Sequence, residues 1–247
     1  MALIYHISDI HVASSHFRPE LLAKVIREIN SVRPDLVVLS GDLTEKGLRE
    51  DYEEAKAWTD QIEVPLLVTP GNHDSRNVGY IHFEELYGSR YLTQRLPGVL
   101  LVAADSSEPD LDEGRIGRTM YPWLEQNLEL ALPGETKVFV THHHLLPVPG
   151  AGRERNILQD AGDLLKILVD HQVDLVLTGH KHVPWIWNLE GMFVVNAGTT
   201  STNRLRGNGQ ASYGVIELSG HQIVVHQRYF DGTEEIRICR NRREIPV

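Results

Sequence analysis

The sequence has one cysteine in 247 residues, Cys239, so no disulfide can form within the chain, and a reducing, cytoplasmic setting is expected. A basic excess is missing too. Lys and Arg number 24 against 34 Asp and Glu, a formal charge of −10, which argues against the cationic footprint that grips a nucleic-acid polymer by its phosphates. Long hydrophobic runs are absent: Val99 to Ala104 is strand-length, far short of the ~20 residues of a membrane span. The opening MALIYHISD has no basic region, long apolar stretch or small-residue cleavage site, so no signal peptide is expected. With no repeat or Ser/Gly/Pro linker to divide it, the chain reads as one domain over 1–247. What it does have is histidine, 13 in all, and histidine is both a common metal ligand and a proton carrier near neutral pH.

The first two-thirds alternate short apolar runs with helical patterns, which predicts βαβ units around a parallel sheet. The runs are Leu3–Ile7, Leu36–Leu39, Leu66–Val68, Val99–Ala104, Val138–Val140 and Leu175–Leu177. The predicted helices are Pro19–Asn30, Arg49–Gln61, Pro122–Leu132 and Asp163–His171. In the first, Leu21, Leu22, Val25, Ile26 and Ile29 recur at helical spacing behind a proline suited to a first turn. After Gly179 the helices stop. Trp185–Leu189, Phe193–Val195, Tyr213–Leu218 and Ile223–Tyr229 read as strands, expected to add an antiparallel second sheet.

The informative residues follow the strands. Ile7-Ser8 runs into Asp9-Ile10-His11, and Leu39-Ser40 into Gly41-Asp42. Val68-Thr69-Pro70 runs into Gly71-Asn72-His73-Asp74, Val140-Thr141 into His142-His143-His144, and Leu177-Thr178 into Gly179-His180-Lys181-His182. Any one alone reads as a turn or a helix cap. Together they put Asp, Asn and His beyond five strand ends, and parallel strands of an open α/β sheet gather ligands at that edge. The donors are two carboxylates, one amide oxygen and at least four imidazoles, without a thiolate. Such an N/O set suits divalent Mn, Fe, Zn, Ni or Co. Seven side chains are too many for one tetrahedral ion; with one bridging carboxylate they divide into four ligands for each of two metals.

In this order, Asp-x-His, Gly-Asp, Gly-Asn-His-Asp, His and Gly-His-x-His resemble the calcineurin-like metallophosphoesterase family, and Pro70–Asp74, the His triplet and Leu158–Leu165 resemble its class III cyclic nucleotide phosphodiesterase-type members. The resemblance implies an α/β fold, a four-layer α/β/β/α sandwich with two mixed β-sheets and the metal site at the C-terminal strand edge. It implies Asp9, His11, Asp42 and His182 around one divalent ion and Asp42, Asn72, His142 and His180 around a second, with Mn, Fe or Zn as the metals. His142 is preferred as the fourth-motif ligand because it comes first after its strand, with His143 as the alternative. His73 matches the family's catalytic His. The Ser/Thr phosphatases of the family carry an Arg where Lys46 stands here, which disfavours that reading.

The expected reaction is hydrolysis of a small phosphodiester, a cyclic nucleotide among the candidates, by a hydroxide bridging the metals, with His73 as proton donor. Asp74 joins His73 as a candidate catalytic residue, orienting it as Glu45 also could, or else capping its own turn. A broad phosphomonoesterase and, further off, a non-catalytic metal-binding scaffold are the alternatives. No nucleic-acid polymer or membrane is expected as partner, and oligomeric state is left open. The loop 145–157, with Arg153 and Arg155, is expected to overhang the site, and those arginines join Asn72 and His73 as candidate substrate contacts. Asn196–Ser201, with Arg204 and Arg206, is a second candidate pocket segment or a turn between sheets. Trp185 and Trp187 are expected to pack on the sheet. His6, His82, His171, His221 and His226 are expected to be structural or exposed.

Overall fold

A computed structural model of the chain describes residues 1–152, 156–206, 209–220 and 222–241; Arg153, Arg155 and His221 lie outside them. The elements in order are β1 (Ala2–Ile7), α1 (Pro19–Val32), β2 (Leu36–Ser40), α2 (Arg49–Thr59), β3 (Leu66–Thr69), α3 (Gly79–Tyr87), β4 (Tyr91–Leu96), β5 (Val99–Ala104), α4 (Tyr121–Leu128), β6 (Thr136–Val140), α5 (Ala161–Asp170), β7 (Leu175–Thr178), β8 (Pro184–Leu189), β9 (Met192–Ala197), β10 (Ser212–Ser219), β11 (Gln222–Tyr229) and β12 (Glu234–Asn241).

Two six-stranded mixed sheets result, ordered β12-β11-β10-β1-β2-β3 and β4-β5-β6-β7-β9-β8. Alternation along each strand then builds the layers. On β5, Val99, Leu101 and Ala103 point between the sheets, where they meet Ile4, Val38 and Leu67 of the first sheet. The intervening Leu100, Val102 and Ala104 face outward onto Leu124 and Leu128 of α4 and Leu164 and Leu168 of α5. The first sheet does the same with Tyr5, Ile7, Val37 and Leu39, which pack on Leu22, Val25 and Ile29 of α1, Tyr52 of α2 and Phe83 of α3. A strand buried on both faces reads as an unbroken apolar run, which is why these strands were visible in the sequence. The four-layer α/β/β/α sandwich is the architecture.

The division of strands differs from the sequence expectation. The parallel strands are split, β1–β3 in one sheet and β5–β7 in the other. Of the C-terminal strands, β9 runs parallel to β7 and stays with the second sheet, while β10 returns to pair antiparallel with β1, Ile216 opposite Ile4. An apolar run reports that both faces are covered but not which neighbours supply the hydrogen bonds. Three elements were not anticipated: α3, β4 and β12. The last two are edge strands, YLTQRL and EEIRICRN, whose polar composition suits a sheet margin and hides the strand pattern.

Candidate metal centre

The parallel strands β1, β2 and β3 of one sheet and β6 and β7 of the other end at a common cleft, where all seven candidate ligands are nearly or fully buried. Strand ends alone do not aim the side chains; the turns do. Asp9, His11, Asp42, His180 and His182 all have left-handed backbones, with φ between 48° and 73°, a conformation that costs a non-glycine residue on the order of 1 kcal/mol. Local hydrogen bonds hold them there: Asp9 N–H donates to Gly41 O at 3.0 Å, and His11 N–H to Asp42 O at 3.0 Å. Gly41, at φ +90°, has no alternative, since a Cβ there would stand 2.5 Å from His142 Nδ1. A Cβ at Gly71 would collide with the Asp42 carboxylate.

The donor atoms form two groups that share one residue. Asp9, His11, Asp42 and His182 make the first, and Asp42, His142 and His180 the second. In the first, His182 Nε2 lies 3.2 Å from Asp9 Oδ1 and 3.0 Å from His11 Nε2. In the second, Asn72 Oδ1 lies 2.9 Å from His180 Nδ1 and 3.2 Å from His142 Nε2. Asp42 Oδ2 stands between them, 3.5 Å from His11 Nε2 and 3.4 Å from His142 Nε2. Ligands about 2.0–2.2 Å from one ion stand roughly 3–3.5 Å from each other, so the spacing fits a cation within each group.

The outward-facing atoms fit as well. His142 Nδ1 donates to Ser40 O at 2.8 Å and His182 Nδ1 to Arg204 O at 2.7 Å, while His11 Nδ1 lies 3.2 Å from Glu45 Oε2. Fixing one imidazole N–H outward turns the other nitrogen's lone pair into the site. Asp9 Oδ2 accepts from Ser8 Oγ at 2.6 Å and from His180 N–H at 3.0 Å, and Asp42 Oδ1 accepts from His73 N–H at 3.0 Å. Burial opposes charge on both carboxylates, but His182 beside Asp9 and His142 beside Asp42 hold both below the usual range. In turn burial opposes protonation of His142, and Asp42 overrides it, pushing His142 up to about 9. Burial instead lowers His11 and His180, which favours the neutral rings a metal needs, and a divalent cation beside the two carboxylates would displace the proton from His142.

His143 has both ring nitrogens engaged elsewhere, Nδ1 with Ser106 Oγ at 2.8 Å and Nε2 with Asp112 O at 3.1 Å. His142, not His143, therefore faces Asp42 and Asn72. His73 lines the cleft; its Nδ1 lies 2.7 Å from Glu45 O and 3.7 Å from Glu45 Oε2, and its ring meets His11 edge-on at 4.7 Å.

Of the two roles expected for Asp74, orienting His73 and capping its own turn, the structure fits the second. Its carboxylate accepts from Leu43 N–H, Thr44 N–H, Thr44 Oγ1 and Gly71 N–H at 2.9–3.1 Å, so it ties the second and third motif loops together rather than orienting His73. Asn196–Ser201 is likewise a brace. Thr199 Oγ1 donates to Asp9 O at 2.7 Å, Ser201 Oγ to Ile10 O at 3.1 Å, and Thr200 Oγ1 accepts from Ser8 N–H at 3.1 Å. The segment at 158–165 is structural too, since Asp160 accepts from Ile116 and Gly117 N–H and from Tyr121 Oη. Trp185 and Trp187 pack edge to face on β8, 6.0 Å apart. His6 is buried against Ser40 Oγ at 2.9 Å.

Sequence reasoning missed Arg76, Asp112 and Asn156, which line the cleft with Arg204 and Arg206. Asp112 Oδ1 accepts from Arg76 Nη2 at 2.5 Å and Asn72 Nδ2 at 3.3 Å, which aims the Asn72 carbonyl oxygen at His142 and His180. Among the described residues no helix is long and apolar enough to cross a membrane.

Comparison with known proteins agrees with this geometry. A 3′,5′-cyclic-nucleotide phosphodiesterase of Nostoc sp. is 26% identical over 99% of this chain and 94% of its own. A glycerophosphodiester phosphodiesterase of Enterobacter lignolyticus is 31% identical over 73% of this chain and 70% of its own. Among solved structures, a dimetal phosphatase from Danio rerio superposes with a TM-score of 0.74 at 15% identity, over 95% of this chain and 98% of that one, which speaks to the fold. The model of the calcineurin-like phosphoesterases matches residues 2–184. That family works with a dinuclear metal centre on phosphoesters, and this chain, a metal-dependent phosphoric ester hydrolase, belongs to it.

Proposed function

We propose that residues 1–247 act as one domain that hydrolyses a small phosphodiester, cyclic nucleotides and glycerophosphodiesters being the first candidates. Two divalent ions, Mn, Fe or Zn, would be held by Asp9, His11, Asp42 and His182 and by Asp42, Asn72, His142 and His180. The observation that carries this reading is the position of Asp42 Oδ2, within 3.5 Å of an imidazole nitrogen from each group. When bound, such ions polarise the phosphoryl oxygens and lower the pKa of water from 15.7 to ~7. Their charge exceeds that of Asp9 and Asp42, so the local field attracts an anionic ester despite the chain's net −10.

The chain's own residues do the rest. Asp42 and Asn72 fix the spacing of the two groups, and Asp112 fixes the Asn72 amide. His73 is the proton donor. Its Nδ1–H donates to the Glu45 carbonyl, so in the imidazolium form it is Nε2 that carries the proton passing to the departing alkoxide oxygen as the P–O bond breaks. Glu45 touches both His73 and His11, so one carboxylate positions the acid and a ligand together. A diester of an unactivated alcohol needs this acid, whereas p-nitrophenolate departs without it. His73→Ala should therefore keep its metal content and lose about 10²–10⁴-fold in kcat on an unactivated diester, with a much smaller loss on bis(p-nitrophenyl) phosphate. Equal losses on both substrates, or losses that track missing metal, would overturn the acid role.

A further inference from the structure

The cleft is lined by the candidate ligands Asp42, Asn72, His180 and His182, by His73, and by Arg76, Asp112, Asn156, Arg204 and Arg206. Every one of these is polar or charged. Neither an aliphatic side chain nor a Phe, Tyr or Trp is among them, so this lining recognises a ligand chiefly through charge and hydrogen bonds. Besides the candidate ligands the lining offers three guanidiniums, a local concentration of cationic charge in a chain that is acidic as a whole.

The three guanidiniums are not equivalent. Arg76 is committed: Nη2 donates to Asp112 Oδ1 at 2.5 Å, and Nη1 lies 3.0 Å from His73 Nδ1. Arg204 faces Glu45 Oε1 only at 3.6 Å, beyond hydrogen-bond length, and its side chain is 50% exposed. Arg206 reaches a backbone carbonyl, Ala151 O, at 3.5 Å. The loop that carries them is nevertheless fixed to the site. His182 Nδ1 donates to Arg204 O at 2.7 Å, and Arg204 N–H donates to Thr202 Oγ1 at 3.0 Å. Two arginines with donor capacity to spare thus stand on a backbone anchored to a candidate metal ligand.

We propose that Arg204 and Arg206 form a second anion subsite beside the metal centre, so that the substrate is a phosphodiester bearing a further anionic group, a phosphate or carboxylate, on one of its alcohols. This rests on the phosphodiesterase reading and narrows its substrate class away from cyclic nucleotides, which carry no second anion, toward diesters such as a glycerophosphodiester with an acidic head group. Guanidinium forks suit either oxyanion through paired N–H donors. With the esterified phosphate on the metals, the pair reads the second charge and leaves a neutral alcohol unrewarded.

The test compares p-nitrophenyl propyl phosphate with p-nitrophenyl 2-carboxyethyl phosphate, which share leaving group and reacting phosphorus and differ in one carboxylate. Wild type loaded with Mn²⁺ should favour the carboxyethyl ester in kcat/KM by about tenfold or more, the scale of one charge-assisted hydrogen bond. In Arg204→Ala/Arg206→Ala that preference should fall to near one, with both metals retained by elemental analysis. A preference absent in wild type, or unchanged in the double variant, would overturn the subsite. Calorimetry with 3-phosphonopropanoate against propylphosphonate separates this from the catalytic reading. Tighter binding of the dianionic ligand, lost in the double variant, upholds the subsite even if neither ester turns over. Equal binding of the two ligands to wild type refutes it.

Discussion

Asp42 is the one residue shared by the two candidate donor groups, and Asp42→Asn tests whether both depend on it with little change of shape. Asn keeps an Oδ1 that can accept from His73 N–H but replaces the carboxylate oxygen lying 3.5 Å from His11 and 3.4 Å from His142. Losing a residue that merely orients a ligand costs 10–100-fold in metal affinity. Loss of a shared carboxylate should cost about 100-fold or more in each group. With each ion at 100 times its Kd, wild type gains ~2.7 kcal/mol per ion, or ~5 kcal/mol for the pair. At roughly 2–4 °C per kcal/mol for a chain of this length, that is a rise in Tm of about 10–20 °C. At the same metal concentration the variant sits near its Kd and gains below ~1 kcal/mol, roughly 2–4 °C at most. The assay is a thermal melt with and without Mn²⁺, with elemental analysis alongside. His11→Ala is the control, since His11 belongs to only one Asp42-containing group of ligands, and it should keep one ion. Two equivalents of metal and a full thermal gain in Asp42→Asn would refute the shared-ligand arrangement.

Two further predictions concern residues outside the ligand set. Asp74→Ala strands three buried N–H groups, of Leu43, Thr44 and Gly71, and at about 1–3 kcal/mol each should cost roughly 3–9 kcal/mol of stability even without metal; an unchanged melt with lost turnover would restore Asp74 to catalysis. Burial holds His6 down at about 3, against the opposing pull of Asp9. The folded state therefore keeps it neutral while the unfolded state protonates near pH 6.5. Its contribution is fully present above pH 6.5 and declines by about 1.4 kcal/mol per pH unit as pH falls toward 3. Denaturant titrations of metal-free wild type and His6→Gln between pH 7 and 5 should show a shallower decline in the variant, and parallel curves would contradict the assignment.

How much of this was legible in the sequence depended on where the information lay. The ligands could be found because each follows a strand end in a short, unusual string, and strand ends of parallel sheets converge. The helices α1 and α5 were visible through their apolar spacing. The partition of strands between sheets was not, because Val99–Ala104 and Leu36–Ser40 are apolar on both faces whichever neighbours they take. Asp74 stayed open between two uses because an acid next to a candidate catalytic His can orient it or cap its own turn, and only the positions of Leu43, Thr44 and Gly71 decide between them. Arg76 and Asp112 were missed because each is an ordinary charged residue in its own segment. They acquire meaning only when the fold brings them together at 2.5 Å, 36 residues apart.

The central claim, a metal-dependent centre acting on diesters, is tested most directly by stripping the protein of metal, reloading it with Mn²⁺, and comparing bis(p-nitrophenyl) phosphate with p-nitrophenyl phosphate. The proposed function predicts turnover that vanishes on stripping, returns on reloading, and favours the diester. Preference for the monoester would contradict the diesterase reading, and turnover undiminished by stripping would contradict the metal centre itself.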